Sequence, residues 1–86
     1  MLITRVRAAY ALIDAVDRPE IWITLRPREE VEAEARSLET RLAAGEHLPL
    51  AGRLLAVKGN IDVAGLPTTA ACPSYAYDPP ADAPVV

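Results

Sequence analysis

Apolar residues recur at Ile3, Val6, Tyr10, Ile13 and Val16, in steps of three and four, the spacing of one face of an α-helix. This stripe predicts a helix over residues 2–16. Asp17-Arg18-Pro19 closes it, because the residue before a proline is pushed out of helical space. The next run, "EIWITL" at 20–25, is short and rich in β-branched and aromatic residues. It predicts an extended segment or a linker pinned by Trp22, which reads as an anchor rather than a substrate contact. A second stripe, Val31, Ala35, Leu38 and Leu42, predicts a helix that opens with Pro27 at its first position, where the missing N–H costs nothing. Glu29 and Glu30 fall in its positively polarised first turn. Glu32 and Arg36 are spaced for an i,i+4 pair. Gly45 is the natural stop, since glycine takes the left-handed C-terminal geometry without strain.

The pattern changes after Gly45. "EHLPLAGR" reads as a loop, "LLAV" at 54–57 as a strand, "KGN" as a turn and "IDVAG" as a second short strand. "LLAV" shows no alternation, which predicts a strand covered on both faces. "SYAYDPPADAP" carries three of the chain's eight prolines and excludes long regular structure. Asp82, ahead of "APVV", reads as the N-cap of a further helix. The chain thus divides into a helical segment, 1–45, and a strand-and-loop segment, 46–86. The expected class is α/β: two helices, then one or two short strands. A strand covered on both faces needs neighbours for its backbone groups, and the sequence holds at most one other strand of similar quality. The expectation is a folding unit incomplete on its own, finished by further sequence or by another chain, with self-association one way to do so.

Composition narrows the function. At 86 residues the chain can bury only about 60–65% of its unfolded surface. A net charge of −3 with no clustered basic residues argues against a nucleic-acid surface. No apolar run is long enough to span a bilayer, and Asp14 and Asp17 interrupt any signal-peptide core; a cytoplasmic protein is expected. The single cysteine, Cys72, forms no internal disulfide and reads as a small buried apolar residue. Eight of the nine basic residues are arginines; the one lysine, Lys58, directly follows "LLAV".

Lys58 has two readings. The strand surfaces there and the side chain meets water, as most lysines do. Alternatively the lysine is a base at the strand end. A lysine of ordinary pKa, near 10.4, is almost wholly protonated at neutral pH, but apolar surroundings disfavour the ammonium and can make the amine available as a proton acceptor.

The stretch "HLPLAGRLLAVKGNIDVAGLPTTAACPSYAYDPPADAPVV" resembles the start of the catalytic domain in the amidase-signature hydrolases, and among them the allophanate hydrolase branch. "LAVKGNIDVAG" carries the likeness to the family and "AGLPTTAACPSYAY" the likeness to that branch. "AAYALIDAVDRPEIWITL" is similar to the same branch's N-terminal helix and tryptophan-bearing segment. The resemblance implies that 46–86 opens an amidase-signature catalytic domain with a Ser–cis-Ser–Lys triad on a mixed sheet surrounded by helices. Lys58 stands at the position of the catalytic lysine. In that mechanism the neutral lysine takes a proton through a bridging serine, a second serine attacks the amide carbonyl, ammonia leaves and water hydrolyses the acyl-enzyme. Both serines lie downstream of position 86 in the family. Ser37 and Ser74 do not match their motif, so the 86 residues alone are expected to be inactive.

Many family members carry an aspartate directly after the lysine, where this chain has Gly59; the acid is lost and the backbone gains freedom. Asn60 and Asp62 match the family pattern and serve either the site or the turn itself. Thr68 and Thr69 could donate hydrogen bonds near the site or simply hold the loop. The implied substrate is a small amide or urea-derived molecule, urea-1-carboxylate, with no nucleic acid, membrane, metal or organic cofactor involved. Two other readings stand beside it: an amidase-signature protein with a different substrate, including amidotransferase components that act on aminoacyl-tRNA, and a non-catalytic helical module that binds another chain.

Overall fold

In the computed structural model, which describes all residues Met1–Val86, helix α1 spans Leu2–Val16 and helix α2 spans Arg28–Ala43. α1 closes where the sequence predicts. Asp17 takes the left-handed conformation, φ 50° and ψ 54°, and its amide bonds the Ile13 carbonyl. Pro27 is the N-cap of α2, with φ −56° and ψ 137°, one position earlier than expected. Its carbonyl accepts from the amides of Glu30 and Val31. α2 ends in a Schellman motif: the Glu46 amide bonds the Arg41 carbonyl, the Gly45 amide bonds Leu42, and Gly45 sits at φ 90°, a conformation only glycine adopts freely.

Residues Met1–Ile21 and Leu25–Leu54 form one compact unit. Within it α1 and α2 run antiparallel, as the paired positions require. The Ile3 amide donates to Glu39, 3.1 Å; Arg7 meets Glu32, 3.0 Å; the Tyr10 hydroxyl donates to the Arg26 carbonyl, 2.6 Å. Val6 of α1 and Ala35 of α2 are its buried apolar residues, 4% and 5% exposed. Both come from the predicted stripes. Glu32 faces two arginines, Arg7 and Arg28 at 3.0 and 3.9 Å, so the inner edge of the hairpin is polar. Gly52, at φ 87°, sits where a Cβ would come within 2.9 Å of the Leu2 side chain. Its carbonyl accepts from Arg5, 3.2 Å.

Residues Trp22–Thr24 and Leu55–Val86 form a second unit, built of successive tight turns rather than strands. "EIWITL" starts with a short 3₁₀ turn, Pro19–Ile21, and Trp22 is half-buried. The expected strands at "LLAV" and "IDVAG" are not formed, and no sheet is present. Leu54 and Leu55 are 56% and 79% exposed, the opposite of a doubly covered strand. The reason is the one pairing demands: a strand exists only where neighbouring backbone satisfies its amides and carbonyls, and no backbone hydrogen bond joins residues 54–57 to another segment. The sole ladder contact is an isolated antiparallel bridge, Thr68 with Tyr77. Asp82 caps no helix. Its carboxylate accepts from the Ala64 amide, 2.7 Å, and Ala83–Val86 closes as a turn. No helix is long and apolar enough to cross a membrane.

Candidate functional site

Lys58 opens a four-residue turn, Lys58-Gly59-Asn60-Ile61, closed by a 3.0 Å bond from the Ile61 amide to the Lys58 carbonyl. Turn-forming Gly-Asn follows the apolar run at once, which is why the chain reverses here. The Lys58 side chain is exposed and enters none of the ion pairs. Asn60 is exposed as well, and its side chain holds no turn hydrogen bond.

The turn is fastened from outside. The Gly59 carbonyl accepts from two amides, Thr69 at 2.9 Å and Ala70 at 3.0 Å. The two segments approach so closely that a Cβ on residue 59 would lie 3.0 Å from the Thr69 hydroxyl and 3.5 Å from Ile23. Glycine at this position thus removes a carboxylate and also suits a crowded crossing. The backbone is not loosened by it, because the two amides hold it.

The segment opposite is itself strained. Ala70 and Ala71 both have positive φ, 47° and 60°, which costs a non-glycine residue about 1–2 kcal/mol each. The Cys72 amide closes this reversal on the Thr69 carbonyl, 2.8 Å, and the Ala71 amide reaches the Thr69 hydroxyl, 3.3 Å. Cys72 is exposed, not buried as expected, because the reversal turns it outward. Hydrogen bonding from Ser74, then from the Tyr75 and Ser74 backbone, lowers its thiol pKa.

Asp62, just past the turn, joins the remaining candidates. Its Oδ1 accepts from the Thr68 hydroxyl, 2.8 Å, and from the Tyr77 hydroxyl. Its backbone carbonyl accepts from Ala83, 2.9 Å. Thr68 is 1% exposed, and its amide and carbonyl exchange bonds with Tyr77 at 2.8 and 3.0 Å. Asp62 and Thr68 therefore come together directly, Thr69 reaches the lysine turn through backbone, and the side chains of Lys58 and Asn60 stay apart from this network. The sequence does not single out Tyr77: a tyrosine in a proline-rich loop carries no local signal of a partner fifteen residues away. No three His, Cys, Asp or Glu side chains converge in the chain.

The Tyr77 and Thr68 hydroxyls, in that order, hold the Asp62 carboxyl below the 3.8 ordinary for aspartate. The Asp62 bond in turn raises the Tyr77 phenol above its ordinary 10.0. A lowered acid contributes stability that is present above 3.8 and lost as pH falls through the folded value. A raised phenol contributes stability that is present below 10.0 and lost as pH rises through the folded value. The contact is therefore at full strength between those limits. The ¹³Cζ resonance of Tyr77 should titrate with a midpoint above 10.0, and Asp62→Asn should bring it back toward that value. A wild-type midpoint at or below 10.0 would show that the phenol does not serve Asp62.

Comparison with known proteins identifies relatives of the chain. The Amidase family profile matches residues 5–86. Over 65 residues, 76% of the chain, it is 52% identical to urea amidolyase of Saccharomyces cerevisiae, of which those residues are 4%. Urea amidolyase of Lachancea kluyveri is 45% identical over 65 residues, again 76% of the chain and 4% of the relative. The chloroplastic and mitochondrial glutamyl-tRNA(Gln) amidotransferase of Arabidopsis thaliana is similar through its A-type polypeptide, 43% identical over 70 residues, 79% of the chain and 13% of the relative. The chain thus spans a small part of the length of these relatives. No solved structure matches it. With the profile running through both helices, the lysine turn and the Thr68–Tyr77 bridge, the chain belongs to the Amidase family.

Proposed function

We propose that this chain supplies the lysine-bearing N-terminal part of an amide hydrolase that cleaves urea-1-carboxylate to ammonia and carbon dioxide in the cytoplasm. The observation that carries this reading is the 52% identity to a urea amidolyase. Lys58 is the proton acceptor of a Ser–cis-Ser–Lys triad whose serines come from outside residues 1–86, on an α/β fold completed there. Lys58 is exposed within the chain, so the apolar cover that frees its amine is laid on by the same surrounding structure. Leu54 and Leu55, exposed just before it, are the natural seat of that cover, and pairing along them would create the strand that the isolated residues lack. Neither a metal nor an organic cofactor takes part.

A second reading has its own support: a glutamyl-tRNA(Gln) amidotransferase polypeptide matches 79% of the chain at 43% identity. On that reading the ammonia released from an amide donor is passed to glutamyl-tRNA(Gln). Ammonia release by the enzyme carrying this chain separates the two. Turnover of urea-1-carboxylate far above that of glutamine is the expected result; the reverse preference would transfer the chain to the amidotransferase reading.

A further inference from the structure

Three hydroxyl and carboxylate groups behind the lysine turn form a closed set. The Asp62 carboxylate takes both the Thr68 and the Tyr77 hydroxyls on one oxygen, while Thr68 and Tyr77 are also tied backbone to backbone in both directions. The residues following Thr68, Thr69 and Ala70, are those whose amides hold the Gly59 carbonyl. The segment 68–70 therefore touches the lysine turn on both sides: at Gly59 through backbone, and at Asp62 through a side chain. Beyond the backbone bridge, the Tyr77 hydroxyl reaches Asp62 and its ring meets Tyr75 edge-on.

We propose that Tyr77 is a positioning residue for Lys58, acting through Asp62 and Thr68 to hold the Lys58–Ile61 turn in one geometry. The proposal rests on the reading of Lys58 as the proton acceptor. Its physical basis is leverage. Lys58 has no side-chain partner within the chain, so the direction in which its stem leaves the turn is set by the backbone of residues 58–61. That backbone is anchored at Gly59 and Asp62. Two strained alanines at 70 and 71 store a tendency to relax, and the bridge at Thr68 and Tyr77 resists it. The titratable groups that meet Tyr77 are Asp62, on its hydroxyl, and Tyr75, whose ring lies 5.8 Å away; no cation is paired with Asp62.

Tyr77→Phe removes the hydroxyl and keeps the ring. In the enzyme carrying this chain, it should lower kcat about 10- to 100-fold, the scale of a small displacement of a reacting group. KM should stay near its wild-type value. The acidic limb of kcat/KM, which reports the essential base, should shift, because the turn that presents that base is no longer held in one geometry. A role in stability alone would reduce active enzyme equally at every pH and leave the limb in place. Tyr75→Phe, whose ring only packs edge-on against Tyr77, should leave the limb where it is. Thr68→Val withdraws the other hydroxyl from Asp62 and should move the limb in the same direction as Tyr77→Phe, and it serves as the probe if Tyr77→Phe does not fold. An unmoved limb in whichever variant folds overturns the inference. Full activity of Lys58→Met in the same assay would instead overturn the reading beneath it.

Discussion

Lys58→Met should lower amide turnover by about 10²–10⁴-fold, the range of a positioned general base, while leaving the fold of the chain unchanged. Methionine keeps the length and much of the apolar stem and removes only the amine. The structure makes this substitution unusually clean. Lys58 is exposed and enters none of the ion pairs, and the turn it opens is closed by its backbone carbonyl rather than its side chain. A surface change of this kind alters stability by no more than about 0.5 kcal/mol. Lost ammonia release with unchanged circular dichroism therefore points to chemistry. Near-wild-type turnover removes Lys58 from the mechanism. The exposed lysine then becomes an ordinary solvated side chain at a turn.

Val6→Asp should open the helical hairpin. Val6 is 4% exposed and, with Ala35, is one of the two buried apolar residues of the first unit. An unpaired carboxylate in that position costs several kcal/mol, a large share of the roughly 5–15 kcal/mol that holds a small domain together. The neighbouring acids make it worse: Glu32 and Glu39 already face α1 from α2. Helices of 15 and 16 residues are marginal once separated, so ellipticity at 222 nm should fall sharply. Val6→Ala, which deletes two carbons without adding charge, should cost only about 1–2 kcal/mol and retain the helices. Equal helicity in Val6→Asp and wild type would mean that the hairpin does not depend on this burial and that its polar contacts, Arg7 with Glu32 and Tyr10 with Arg26, hold it.

The two substitutions probe different layers of one dependency. The two helices share few buried apolar residues and one ion pair, Arg7 with Glu32, and the lysine turn is held by hydrogen bonds between backbone groups. Surface ion pairs such as Arg41 with Glu46 at 3.0 Å contribute little each. The turn unit has no buried aliphatic cluster of its own beyond Thr68 and Pro79. Its geometry rests on satisfied polar groups, which is why single hydroxyls such as those of Tyr77 and Thr68 matter there.

Features legible in the residues alone are local ones. The stripe at Ile3, Val6, Tyr10, Ile13 and Val16 and the stop before Pro19 set α1, because helical spacing and the proline restriction act within a few residues. Gly45 set the end of α2 for the same reason. "LAVKGNIDVAG" carried the family, since turn chemistry and a lone lysine are written in consecutive positions. Whether "LLAV" becomes a strand was left to the folded chain, because pairing requires backbone from elsewhere in the fold, and its apolar character alone supplies none. The same holds for Gly59, whose small size answers to Thr69 across a crossing. Tyr77 acquires its role only when the loop folds back to Asp62, and Asp82 bonds Ala64 instead of capping a helix. Each of these depends on groups brought close by chain reversal, and a reversal's partners are fixed by distance in space, which residue type and local spacing do not encode.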